Sequence, residues 1–298
     1  MKQYLAFDIG GTFIKFAVMD EAAHVLMKGK FPTPSNEMEI LRSMQNIYQS
    51  TQEYQIRGIA VSVPGLTDVK NGILLTAGTV HGLDGCHLGE KLSAVCDGKP
   101  VVIENDGKAA GLAEAWLGAA KGAESCCVLV FGTGVGSVSI RNGEVLRGSH
   151  LIAGEASHWI IGGTREQIKP QKFHYYGTVP TVHRIEKLLQ MENNSLSGEE
   201  VFWLYRDGNE IVRNEIEDWW YAIALQCYNI SLMLDPDVIC IGGGVSEESL
   251  FVDGIRKYVH LIYQSSRQFV EPEVVPCRFH NDSNLIGALY QLLRVLEK

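Results

Sequence analysis

Short apolar runs broken by glycine set the pattern of the first third of the chain. Residues 4–8, 13–19 and 24–28 each carry a strand-length apolar or alternating run, and turn formers lie between them, which predicts a three-stranded antiparallel meander. The period then changes. Across residues 37–52, Met38, Ile40, Leu41, Met44, Ile47 and Tyr48 recur at helical spacing, as expected of a helix with one buried face. A β-branched run over 58–63 stops at Pro64-Gly65, and an irregular glycine-rich stretch follows. Residues 101–103 then form a strand ending at Glu104-Asn105-Asp106, ahead of a helix over 108–117. The second half repeats this order, with a meander over 126–131, 136–140 and 145–147, a long helix over 210–234, and a strand over 238–241 that runs into Gly242-Gly243-Gly244. A terminal helix spans 284–296. No low-complexity linker separates the halves, so residues 117–123 read as a hinge that the chain passes once.

Two glycine-rich junctions occupy comparable places in the two halves: Asp8-Ile9-Gly10-Gly11-Thr12 and Gly132-Thr133-Gly134-Val135-Gly136. Each lies between a strand-like run and a second alternating run, so each is expected at a hairpin tip. Glycine tracts suit phosphate because backbone N–H groups can converge on the oxygens where no Cβ intervenes. A Walker loop is excluded, since Gly29-Lys30, Gly98-Lys99 and Gly107-Lys108 are followed by Phe31, Pro100 and Ala109 rather than Ser or Thr. The dinucleotide fingerprint fails too. Its spacing is missing, and the second tract continues into an alternating run and an Asn142-Gly143 turn, not a helix.

A chain of 298 residues with 46% hydrophobic content can bury a substantial core and build two domains. The formal charge of -9 and the lack of any basic run argue against nucleic-acid binding and for small-molecule chemistry. No apolar run approaches membrane-spanning length, and the N-terminus passes straight into a strand, so the expectation is a soluble cytoplasmic protein. Seven cysteines, odd in number and several within apolar runs, read as reduced packing residues.

Taken together, Asp8-Ile-Gly-Gly-Thr12 with Lys15, Val63-Pro64-Gly65, Glu104-Asn105-Asp106, Gly132-Thr-Gly-Val-Gly136, Gly154-Glu155-Ala-Ser-His158 and Ile241-Gly-Gly-Gly-Val245 make the chain resemble the ROK sugar kinases. These belong to the actin, Hsp70 and hexokinase superfamily. The resemblance implies an α/β fold of two actin-like (ribonuclease H-like) lobes with an interlobe cleft. The small N-terminal lobe is expected over residues 1–118, the large C-terminal lobe over 119–283, and the helix within 284–298 returns to the first lobe. It further implies ATP and Mg²⁺ as cofactors, a small-molecule sugar as partner, and a homodimer.

By the same resemblance, Gly10, Gly11 and Thr12 with Gly132, Thr133 and Gly134 bind ATP phosphates, while Gly243 and Gly244 lie against the adenosine. Asp8 orients Mg²⁺ and its waters; a carboxylate at a strand end beside an anion site is a fitting ligand for a hard cation. Lys15, on the side of Phe13 in the strand after the loop, is a weaker candidate, since a strand lysine is usually only a solvated face. Asp106 is the candidate general base that takes the proton of the sugar hydroxyl. Its competing role is to cap the following helix, a place where Asn or Asp is common. A helix N-terminus favours the ionised carboxylate and makes it a weak base, but in a loose phosphoryl-transfer transition state the nucleophile loses its proton late, so positioning matters more. Gly65, Asn105, Glu155 and His158 are the implied sugar contacts.

The chain departs from the common family pattern after His158. Most relatives continue with a cysteine-rich stretch that binds structural zinc with the histidine, followed by a glutamate that contacts the sugar near its anomeric end. Here no cysteine occurs before Cys227, so no zinc site is expected. Ser157 stands in place of the usual glycine, and Lys108 where Asn is frequent. The region 159–184 instead looks like that of zinc-free members, among them β-glucoside kinases and N-acetylmannosamine kinases. The leading expectation is therefore an ATP-dependent kinase acting on the 6-hydroxyl of a hexose or hexoside of the glucose or β-glucoside type, with N-acetylmannosamine as alternative acceptor. A sugar sensor without turnover and an actin-like ATPase are the readings from other classes. The stretch 76–86, with His81 and Asp84, either lines an open anomeric side or is a plain surface loop.

Overall fold

The computed structural model describes residues 1–297 except 79, 81, 166–169, 193, 266–267 and 280–281. It is a mixed α/β protein with two five-stranded sheets. The chain divides into two compact units, one made of Met1–Leu117, Arg147–Ala153 and Asn281–Lys298, the other of Gly118–Leu146 with Gly154–His280.

In the first unit the expected meander forms as β1 (Gln3–Ile9), β2 (Phe13–Asp20) and β3 (Val25–Pro32). β4 (Ile59–Val63) follows helix α1 (Glu37–Ser50) and pairs parallel with β1. The short strands β5 (Thr67–Asp68) and β6 (Ile73–Leu74) make a separate hairpin, and helix α2 (Leu88–Val95) follows. β7 (Val101–Asn105) completes the sheet, in the order β3-β2-β1-β4-β7, and leads directly into α3 (Asp106–Leu117). β1 and β4 are apolar and buried almost throughout because neighbours cover both faces. β3 outruns its expected end by four residues. It is an edge strand, half solvated, whose Lys28 and Lys30 guard against further pairing, so its apolar signal is weak. α2 falls in the stretch read as irregular; it has eight residues, an interior glycine and no side-chain cap at His87.

The second unit holds β8 (Ser125–Phe131), β9 (Val135–Arg141) and β10 (Glu144–Val145), then the small ribbon of β11 (Ile160–Gly162) and β12 (Gln171–Lys172). Helices α4 (Thr178–Leu188), α5 (Gly198–Asp207) and α6 (Glu210–Leu234) follow, then β13 (Val238–Gly242), α7 (Ser249–Gln264) and β14 (Glu273–Pro276). The sheet order β10-β9-β8-β13-β14 matches the first, a three-stranded meander extended by parallel strands. Its core is aromatic: Phe251 lies 4.6 Å from Trp219 and 5.6 Å from Phe131 between ring centres.

Two sequence expectations need correction. The strand expected over 145–147 ends at Val145, and Arg147–Ala153 packs with the first unit although its sequence position puts it within the second lobe. The chain therefore changes units more often than a single hinge passage allows. Two contacts tie this segment to the first unit: the Arg147 guanidinium reaches the buried carboxylate of Glu104, and Lys108 Nζ donates to Leu151 O. α8 (Ser283–Leu296) belongs with the first unit and packs on α3, β4 and β1.

All seven cysteines are buried and unbonded to one another. Burial pushes the Cys127 thiol up to about 12 and raises Cys227 as well, so these thiols stay protonated and unreactive. No helix among the described residues is long and apolar enough to cross a membrane.

Candidate active site

Both glycine-rich tracts are hairpin tips, as their spacing predicts. In the first, Gly10 N–H donates to Phe13 O at 3.0 Å, Thr33 Oγ1 donates to Gly10 O at 2.5 Å, and Thr33 N–H to Thr12 O at 2.9 Å. Gly11 and Thr12 stay exposed at the turn. Asp8, one residue before the end of β1, is only 7% exposed. Its Oδ1 accepts from Ser62 Oγ and from Asn284 Nδ2, each at 3.0 Å, and Lys15 Nζ lies 3.6 Å from Oδ2. Lys15 is thus a partner of Asp8, opposite it in the β1–β2 register, and not merely a solvated strand lysine. One carboxylate fixed beside an exposed glycine turn suits Mg²⁺, which takes one or two carboxylates and keeps waters and phosphate oxygens for its other positions. Among the described residues no group of three or more His, Cys, Asp or Glu could cage an ion.

The parallel register sets Asp8 beside Ser62, and Ser62 and Val63 beside Glu104 and Asn105. Asp8, Gly65, Asn105 and Asp106 accordingly share the carboxyl-terminal edge of β1, β4 and β7, where ligands of parallel sheets bind. Asn105 performs the capping that could have occupied Asp106: its Oδ1 accepts Lys108 N–H at 3.1 Å. Its Nδ2 donates to Gly65 O at 2.8 Å and to Asp106 Oδ1 at 3.1 Å. Gly107 N–H donates to the same Asp106 oxygen at 2.8 Å. The Asp106 carboxylate is therefore aimed by two donors at the first turn of α3. Gly65 has φ +99°, and a Cβ there would sit 2.0 Å from Thr76 O, so no other residue fits the turn. In the stretch 76–86, Asp84 Oδ1 accepts Ala77 N–H at 2.7 Å and braces the loop; His81 lies outside the described residues.

In the second unit, Gly132 N–H donates to Gly134 O at 2.9 Å, closing the other turn, and Gly132 and Thr133 are exposed. The turn lies against the start of α4: Val179 N–H donates to Gly132 O at 3.0 Å, and a Cβ on Gly134 would meet His174 Nδ1 at 2.3 Å. Gly243, with φ +95°, is so close to Phe131 that a Cβ would lie 2.0 Å from its carbonyl oxygen. Gly243 and the exposed Gly244 therefore adjoin the Gly132–Gly134 turn, as the strand pairing of Gly242 with Val130 requires.

Glu155 and His158 flank one turn of 3₁₀ helix, in which positions three apart lie on the same side. Glu155 is half-buried and His158 exposed. The loop is held from below by Ser137 of β9, whose Oγ donates to Gly154 O and accepts Ala156 N–H at 2.7 Å. Beyond His158 the chain is fastened by rings: Trp159 stacks on Phe173 at 6.2 Å and 11°, and Phe173 meets Phe131 edge-on at 6.1 Å. Elemental analysis of tag-free protein should show well under one zinc per chain, since this aromatic packing already organises the segment; stoichiometric zinc would overturn that reading.

Ser62, Asn284, Ser137 and His174 escape sequence reasoning. Ser62 leaves one signal, a hydroxyl inside the otherwise apolar run Ile59–Val63. Asn284 leaves none, being 276 positions from the carboxylate it touches.

Residues 4–294 match the family model described as the ROK family. A β-glucoside kinase of Listeria monocytogenes is 29% identical over 293 residues, 97% of each chain. An N-acetyl-D-glucosamine kinase of Shigella boydii is 28% identical over 257 residues, covering 82% of this chain and 84% of that one. Among solved structures, a ROK family protein from Streptococcus pneumoniae TIGR4 in complex with sucrose superposes with a TM-score of 0.89 at 29% identity over 99% of both chains.

Proposed function

Because the chain belongs to the ROK family and is an ATP-dependent sugar kinase, we propose that its acceptor is the 6-hydroxyl of a hexose or hexoside of the glucose and β-glucoside type. The observation that carries this reading is the Asp106 carboxylate, relieved of capping by Asn105 and aimed by Gly107 N–H and the Asn105 amide. In the proposed reaction Asp106 accepts the proton of the acceptor hydroxyl. The freed oxygen pair bonds to the γ-phosphorus of ATP, the bond from that phosphorus to the bridging oxygen breaks, and ADP leaves with those electrons.

Gly11 and Thr12 offer backbone N–H groups to phosphate at a turn that the Gly10 N–H closes, as do Thr133 and Gly134 at the turn closed by the Gly132 N–H, while Gly243 and Gly244 lie against the adenosine. Asp8 would hold Mg²⁺, its carboxylate fixed by hydrogen bonds from Ser62 and Asn284. Bound magnesium supplies charge neutralisation of the transferring phosphoryl group. Asn105, Glu155 and His158, with the backbone at Gly65, grip sugar hydroxyls, the kind of contact that discriminates epimers. The family resemblance adds a homodimer acting in the cytoplasm, checked by sedimentation of the purified protein.

Three features favour a glycoside acceptor. The β-glucoside kinase relative spans nearly the whole chain, the pneumococcal neighbour is described with sucrose, itself a glycoside, and no cysteine-rich stretch follows His158 to close the anomeric side. A coupled ADP-release assay over glucose, N-acetylmannosamine, N-acetylglucosamine, methyl β-glucoside and cellobiose tests this. We expect kcat/KM for the glycosides to equal or exceed that for free glucose, since an open anomeric pocket tolerates the substituent that a closed one rejects by clash. Turnover of a monosaccharide with none of either glycoside would move the assignment to a monosaccharide kinase. Sugar binding without any ADP release would mark a sensor.

A further inference from the structure

Glu104 immediately precedes Asn105 and Asp106, and it is fully buried. A carboxylate in that position needs donors to offset its lost hydration. Arg147 supplies a fork, with Nη1 at 3.0 Å from Oε1 and Nη2 on Oε2, and Asn105 N–H donates to Oε1 at 2.9 Å. A two-pronged guanidinium contact fixes the plane of the carboxylate as well as its place. One oxygen of Glu104 is thus shared by Arg147 and the backbone of Asn105. From Asn105 the connections continue to Gly65 O, to Lys108 N–H and to Asp106 Oδ1.

Arg147 is the first residue of the seven-residue excursion Arg147–Ala153. That excursion is a closed loop: Ala153 N–H donates to Arg147 O at 3.1 Å, and both Gly148 and Leu151 have positive φ. The buried Lys108 ties it a second time, Nζ to Leu151 O at 3.4 Å. Strand formation at β7 gives no reason for a charge at position 104, where Val102 and Ile103 alongside are apolar. Hydrophobic residues of similar volume often match or better a buried ion pair in stability, so stability alone does not account for this pair, in which Glu104 is fully buried and the Arg147 side chain keeps 20% of its exposure.

We propose that Arg147 is a positioning residue for the acceptor site, acting through Glu104 to hold Asn105 and, through Asn105, the Asp106 carboxylate. The proposal rests on the assignment of Asn105 and Asp106 to the acceptor given above.

Two variants test it: Arg147→Gln, and the pair Arg147→Gln with Glu104→Gln, which removes the buried charge and leaves amides that can still hydrogen-bond. In Arg147→Gln, kcat/KM for the acceptor should fall about 10²-fold, the scale of a small misplacement of reacting groups, while KM for MgATP stays within about twofold. In the double variant the melting temperature should recover towards wild type and the acceptor defect should persist. A merely structural pair gives the opposite result, with kinetics recovering alongside stability, and that would overturn the proposal. Should Arg147→Gln fail to fold, the double variant decides alone. Wild-type turnover in Asp106→Asn would instead remove the acceptor-site assignment itself. Lost turnover in Asp106→Asn together with wild-type acceptor kinetics in the double variant would leave that assignment standing and refute only the role of Arg147.

Discussion

Asp106→Asn should bind nucleotide and sugar almost as the wild type does and turn over roughly 10²- to 10⁴-fold more slowly, the usual scale for a positioned acid or base. The substitution keeps the shape of the side chain and an oxygen that can accept Gly107 N–H, but an amide cannot take the proton of the acceptor hydroxyl. Folding should hardly notice. The α3 cap is supplied by Asn105, whose Oδ1 takes Lys108 N–H, so the helix start does not depend on a carboxylate at 106. Calorimetric binding and steady-state kinetics should therefore part company in this variant. Turnover near wild type would show that Asp106 is only part of the helix terminus.

The second large effect is on stability. Gly287 of α8 crosses so close to α3 that a Cβ would lie 1.6 Å from Ala109 O and 2.4 Å from its carbonyl carbon. Those are backbone atoms of a helix and cannot swing away, so Gly287→Ala must push α8 outward. Overpacking of this kind costs about 1–3 kcal/mol, which corresponds to a fall in melting temperature of roughly 2–12 °C. The same shift moves Asn284, one turn earlier on α8, away from Asp8, so KM for MgATP should rise in the folded fraction. Gly198→Ala is the control. It has ordinary φ, nothing within 4 Å of the added methyl, and a place in the first turn of α5, so its melting temperature should stay level or rise slightly. Equal behaviour of the two variants would refute the close approach of α8 to α3.

Local patterns wrote much of this fold into the chain. β1, β4, β8 and β13 appear as apolar runs ended by glycine or proline, β2 and β9 as runs that start at glycine-rich tips, and α6 keeps its periodicity through 25 residues. The elements that stay hidden have weak local signals. β14 carries Pro276 in a four-residue edge strand, and it exists because β13 offers an open parallel edge at Val238–Gly242. α2 and the end of β3 are likewise decided by tertiary pairing. In the site, the glycine tips and Asn105-Asp106 are readable from residue type and spacing. Which of two adjacent capping residues takes the cap is not, because either side chain could reach Lys108 N–H; the link from Asn105 to Gly65 O settles the matter across 40 positions. Ser62, Asn284 and Ser137 act on groups far away in sequence, and a single sequence has no way to show such partners.

The docking of α8 also sets a timetable for synthesis. A ribosome that has released residues up to Leu117 has made every strand of the first sheet and α3, but not the helix that covers them. At about 5–20 residues per second, the intervening unit takes on the order of ten seconds or more to emerge before α8 arrives. Through that interval the nascent sheet exposes the apolar surface later taken by Leu285, Ala288, Leu289 and Leu292, and Asp8 lacks its Asn284 partner. The second unit, whose strands and helices are contiguous apart from one short excursion, can finish first. The Asp8 carboxylate thus gains its Asn284 partner only when α8 emerges, so a growing chain carries an uncovered apolar sheet face and an incompletely braced Asp8 until then.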